Sequence, residues 1–70
     1  MSHPEFAHIG TAQGKCIEEC AELIQAISKA ERFGWFNKYD GRTNFEWVTL
    51  EMADVQDAID RLLGEMARMK

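Results

Sequence analysis

Five carboxylates stand apart in this sequence: Glu18, Glu19 and Glu22 in one segment, then Glu51 and Asp54 after an interval of 28 residues. The three-residue spacing sets Glu19 and Glu22 one turn apart on one side of an α-helix, and does the same for Glu51 and Asp54 on a second helix. If the two helices pack antiparallel, the pairs face each other across a groove. Four such acids at the edge of an apolar interface repel and are costly to desolvate, so the folded chain must protonate some of them or bind a cation. All-oxygen, high-charge ligation points to Mg²⁺ or Mn²⁺ ahead of Ca²⁺, since open carboxylate pairs leave positions for water and phosphate. On spacing alone, the same acids read first as solvated flanks of acidic helices.

Basic and aromatic residues extend the pattern. Lys15 and Lys29 share a helix face with Glu19 and Glu22, and Arg32 follows one turn later, which suits a triphosphate tail as well as ordinary charge pairing along a helix. Lys38, Arg42 and Arg61 are weaker candidates for the same role. Six of the seven aromatic residues, Phe33, Trp35, Phe36, Tyr39, Phe45 and Trp47, fall within 15 positions. A nucleobase needs a flat apolar surface with a few polar groups at its edge, and Trp35, Trp47, Asn37 and Asn44 offer both. The competing use of this cluster is a hydrophobic plug at a hairpin tip, with Phe33 and Phe45 in the core.

The elements that must position these residues are two helices. Apolar residues at Cys16, Cys20, Leu23, Ile24 and Ile27 recur at helical spacing, with Thr11 as N-cap and Phe33-Gly34 as the stop. Cys16 and Cys20, four apart, read as reduced, buried thiols of that stripe. A turn-rich connection over 34–43 leads to a capping box, Thr43 with Glu46, which opens a second helix whose stripe runs Phe45, Val48, Met52, Val55, Ile59, Leu62, Leu63 and Met66. No β alternation or hairpin signal is read between them. Residues 1–10 form an irregular segment with His3-Pro4 and Gly10 as breakers, and 11–70 make a single helical domain.

The expected fold is therefore all-α, a long helical hairpin. At 70 residues, two striped helices leave much apolar surface wet, so the hairpin is expected to complete a four-helix bundle by oligomerising. A formal charge of −4 argues against a nucleic-acid partner. No apolar run is long enough for a membrane span and no secretory leader is evident, so a cytoplasmic protein is expected. The stretch Gly10 to Cys16 is one residue short of a phosphate-binding loop and ends in Cys, not Ser or Thr. An EF-hand register on Gly41 puts Phe36, Lys38 and Trp47 where ligands belong.

The string Glu18-Glu19-Cys20-Ala21-Glu22, with Glu51-Met52-Ala53-Asp54 downstream, resembles the EExxE…ExxD signature of the MazG-like, all-α nucleoside triphosphate pyrophosphohydrolases. Ser28-Lys29-Ala30-Glu31-Arg32-Phe33-Gly34 is similar to small, phage-type members, and the likeness covers about residues 15 to 63. It implies Mg²⁺-dependent hydrolysis of a nucleoside triphosphate to a monophosphate and pyrophosphate. Carried over position by position, Glu19, Glu22, Glu51 and Asp54 hold metal, and Glu18 or Glu19 takes the proton from water. The likeness also implies a homo-oligomer, with a tetramer favoured over a dimer because the chain lacks the extra helices of larger dimeric relatives. Asp57 and Asp60 depart from the pattern, standing where many relatives are apolar. Rival readings are a phosphoribosyl-ATP pyrophosphohydrolase and a non-catalytic acidic helical module that binds a protein.

Overall fold

The computed structural model describes residues 11–69. Helix α1 spans Ala12–Phe33, strands β1 (Lys38–Tyr39) and β2 (Arg42–Thr43) form a short antiparallel ribbon, and helix α2 spans Asn44–Arg68. The irregular segment expected over residues 1–10 lies outside the described residues.

Each helix end has a local cause. Thr11 is extended, and its hydroxyl accepts a hydrogen bond from the Gly14 N–H at 3.0 Å, satisfying one of the free donors of the first turn. α1 stops at Gly34, whose φ of 99° is open to glycine at little cost and whose N–H donates to the Ala30 carbonyl at 2.9 Å. At the start of α2 the capping box is closed in both directions. The Glu46 N–H donates to Thr43 Oγ1 at 3.2 Å, and the Thr43 N–H donates to Glu46 Oε1 at 2.9 Å.

The connection corrects one expectation, for it contains a β-ribbon. Lys38 pairs with Thr43 and Tyr39 with Arg42, around a turn whose central residues Asp40 and Gly41 both have positive φ, 52° and 87°. Asp-Gly is the sequence that such a primed turn favours, because Asp tolerates the left-handed region and Gly is indifferent to it. The signal was present in the dipeptide and too short to show as alternation. Three bonds then tie this tip to the helix ends: Asn44 Nδ2 to the Gly34 carbonyl at 2.9 Å, the Asn44 N–H to the Asn37 carbonyl at 2.9 Å, and Trp47 Nε1 to the Tyr39 carbonyl at 2.6 Å.

The helices lie side by side in a body of 45 × 23 × 17 Å. A thickness of 17 Å is not much more than one helix with its side chains, about 10–12 Å, so among the described residues no third layer covers either broad face. The buried seam between the helices is made of small residues, Ala12, Ala30, Val48, Val55 and Ala58, together with Glu19 and Asn44. Val48 and Val55 are buried where periodicity placed them, but the other large residues of the stripes are not. Ile24 is 68% exposed, Leu63 58%, and Phe33 and Phe45, expected inside, 60% and 51%. Periodicity locates an apolar face; it does not say whether the partner is the other helix or another molecule. Cys16 and Cys20 lie on that face as free, half-buried thiols, and burial pushes Cys16 up from its ordinary pKa, followed by the neighbouring Cys20.

Candidate metal centre

Antiparallel packing places the middle of α1 against the first half of α2, which brings Glu19, Glu22 and Glu51 together. One carboxylate oxygen from each lies within 4.8 Å of the others. Glu19 sits in the seam and is only 8% exposed; Glu22 and Glu51 are half-buried at its edge. Lys15 Nζ lies 3.1 Å from Glu19 Oε2 and 3.8 Å from Glu18 Oε1. The second oxygen of Glu19, Oε1, is buried and has no hydrogen-bond partner among the described residues. A carboxylate oxygen removed from water without a donor costs stability until a cation or proton reaches it.

The electrostatics agree with the geometry. Glu22 is held above the ordinary carboxylate range, first by loss of solvent and then by the adjoining Glu19, with Glu51 and Glu18 adding repulsion. Glu51 is raised by loss of solvent, then by the adjoining Asp54 and by Glu19. Asp54 therefore adjoins the three clustered acids through Glu51 without being one of them. Lys15 is raised, chiefly by its bond to Glu19 and by the charges of Glu19 and Glu18. Acids grouped this tightly could relieve their mutual repulsion by holding a divalent cation.

Two hollows flank the acids along the groove. Toward the hairpin tip is a hollow of about 290 Å³ that takes in Lys29, Tyr39, Asn44 and Trp47 beside Glu22 and Glu51. Toward the other end lies one of about 300 Å³, lined by Lys15, Arg61, Asp54 and Asp57 beside Glu19. Of the expected substrate contacts, Lys29, Asn44, Trp47 and Lys15 thus border the acids. Trp47 carries Arg42 over its ring at 5.1 Å, and Lys29 Nζ lies 4.6 Å from the Tyr39 centroid.

The others are placed elsewhere. Trp35 donates to Glu31 at 3.0 Å and meets the Phe45 ring edge-on, Asn37 donates to the Phe33 carbonyl, and Arg32 lies over the Phe33 ring at 5.2 Å. Lys38 is exposed on β1. Asn44, buried at 4% exposure, braces the tip while its residue borders the hollow. Tyr39 and Asp57 were not singled out as contacts. Tyr39 reaches the groove because the Asp40-Gly41 turn folds the ribbon back, and the spacing of Asp54, Asp57 and Arg61 along one side of α2 is the signal that marks the second hollow.

Compared with models of known protein families, with curated proteins and with solved structures, the chain matches none.

Proposed function

We propose that the chain is a divalent-cation-dependent nucleoside triphosphate pyrophosphohydrolase, with Mg²⁺ the preferred ion, that acts as a homo-oligomer. The observation that carries this reading is the convergence of Glu19, Glu22 and Glu51 within 4.8 Å across the helix seam, with a buried oxygen on Glu19 that has no hydrogen-bond partner among the described residues. Hard oxygen donors of this charge suit Mg²⁺ or Mn²⁺. Asp54 adjoins Glu51 and adds its charge to the acid set. The sequence likeness to MazG-like enzymes, given above, supports the same assignment.

A bound divalent ion supplies charge neutralisation on the phosphate oxygens and a more acidic water. The chain's own groups do the rest. Trp47 and Tyr39 offer flat surface to a nucleobase at the tip end of the groove, and the seam keeps water away from the inner side of Glu19. Glu18, whose charge reaches Glu22 although it stands outside the clustered acids, takes the proton from the attacking water. The water oxygen bonds to the α phosphorus as the bond from that phosphorus to the bridging oxygen breaks, and the electron pair leaves with pyrophosphate. The products are a nucleoside monophosphate and pyrophosphate.

The apolar side of the hairpin, where Ile17, Ile24, Leu63 and Met66 are each at least half exposed, supports oligomerisation. A second hairpin laid on it gives a four-helix bundle with the acids turned outward, and two such bundles give the tetramer of this proposal.

The test is pyrophosphate release from a panel of nucleoside triphosphates with and without Mg²⁺, alongside thermal melting. Turnover only with the ion is expected. Saturating Mg²⁺ at about a hundred times its Kd is expected to add roughly 2.7 kcal/mol of stability. No turnover and no melting shift favours the non-catalytic module instead.

A further inference from the structure

The two hollows beside the acids differ in chemistry, and that difference assigns a direction to the substrate. The tip-end hollow presents the rings of Tyr39 and Trp47. Among the described residues, the far-end hollow is lined by no aromatic side chain and presents two cations, Lys15 and Arg61. A nucleoside triphosphate has the same asymmetry, an aromatic base at one end and condensed phosphate at the other. We propose that Arg61, with Lys15, holds the departing pyrophosphate end of the substrate, and that the nucleoside end lies toward the hairpin tip. This assignment rests on the pyrophosphohydrolase reading and adds to it the polarity of the groove and a phosphate-binding residue on α2.

Register supports it. Seven residues separate Glu22 from Lys15 on α1 and Asp54 from Arg61 on α2, so both cations stand about two turns, roughly 10 Å, beyond those acids at the same end. Lys29 is left at the opposite end over the Tyr39 ring, so Lys15 and Lys29 serve different parts of the substrate and do not jointly grip its tail. The guanidinium of Arg61 can meet two phosphate oxygens at once, which an ammonium cannot do. Glu19, Asp54 and Asp57 line the same hollow and outnumber its two cations. A bare phosphate is therefore repelled there, and pyrophosphate is accepted as its Mg²⁺ complex.

The experiment is calorimetric titration of the full chain with inorganic pyrophosphate and, separately, with a panel of nucleoside monophosphates, both in Mg²⁺. Arg61 and the Tyr39 side chain are exposed, so Arg61→Gln and Tyr39→Ala are compatible with folding; circular dichroism checks this. Arg61→Gln is expected to weaken pyrophosphate about tenfold, the loss of one charge-assisted contact, and to leave monophosphate binding unchanged. Tyr39→Ala is expected to do the reverse. Without Mg²⁺, pyrophosphate binding is expected to vanish. If Arg61→Gln weakens monophosphate instead, or neither ligand, while the wild type turns over triphosphates, the polarity is overturned and the enzymatic reading stands. If the wild type binds neither product and releases no pyrophosphate, both are overturned.

Discussion

The hairpin tip and the middle of the helix seam obey opposite rules. At the tip, the backbone donors that start α2 have partners: Thr43 and Glu46 cap each other, the Asn44 N–H donates to the Asn37 carbonyl and the Phe45 N–H to the Trp35 carbonyl, while the Asn44 and Trp47 side chains donate to the Gly34 and Tyr39 carbonyls. Glu46 is accordingly held below the ordinary carboxylate range, first by its bond from the Thr43 backbone, then by the Thr43 side chain. Mid-seam, Glu22 and Glu51 are held above it and Glu19 keeps a buried oxygen without a donor among the described residues. The same residue type is thus stabilised in one place and stressed in the other. The contrast separates a carboxylate that serves the fold from carboxylates that could hold a cation, because the first has its charge met by hydrogen bonds and the others stand beside like charges.

Substitutions at the two places should therefore separate activity from stability. The largest effect is expected from Glu22→Gln. Removing one charge from the clustered acids should lower pyrophosphate release by roughly a hundred- to a thousandfold, while the ion-free protein melts at the same temperature or higher because repulsion is relieved. A large drop in melting with activity retained would show that Glu22 is structural and erase the contrast. Next in size is Thr43→Ala, which opens the capping box. It should cost about 1 kcal/mol, or roughly 4–8 °C in a domain of this size, measured at fixed protein concentration, with turnover per folded molecule unchanged.

The smallest effect is in the pH dependence of the ion-free protein. Glu22 and Glu51 bind protons more tightly folded than unfolded, so their contribution to stability falls as pH rises from the ordinary carboxylate range through their raised values. Glu46 has the opposite sign: its contribution is present above the ordinary range and is lost as pH falls through its lowered value. Melting temperature should thus rise slightly on mild acidification from neutrality and turn downward in stronger acid. Saturating Mg²⁺ should remove the upper limb, since the ion displaces the protons. A curve flat with and without the ion would mean that the clustered acids are not stressed.

The legible parts of this fold were those written in neighbouring residues. Thr11, Gly34 and the Thr43-Glu46 pair fix the helix ends through bonds three or four residues long, and the structure places the ends there. The meeting of Glu19, Glu22 and Glu51 was readable because two three-residue spacings and one antiparallel turn suffice to bring the side chains together. The seam was readable only in part. Val48 and Val55 are buried as the stripe of α2 placed them, yet Cys20, Ile27 and Ile59 of the same stripes are not, and the helices meet besides on Ala12, Ala30 and Ala58. Large residues and alanines both count as apolar in a periodic pattern, and only packing in three dimensions decides which are used for closeness. The Asp40-Gly41 turn was passed over for a different reason: strands of two residues are too brief to establish an alternation.

The alanines have one more consequence. Ala30 and Ala58, 0% and 3% exposed, act as spacers, since helices that touch through a single methyl group approach more closely than helices separated by leucine. Mg²⁺ demands oxygens near 2.0–2.1 Å, whereas Ca²⁺ accepts about 2.3–2.6 Å. How closely Glu19 and Glu22 on α1 approach Glu51 on α2 is thus set in part by side chains carrying no charge at all. On the proposed reading, a methylene added to either wall is expected to change ion preference without touching a single carboxylate.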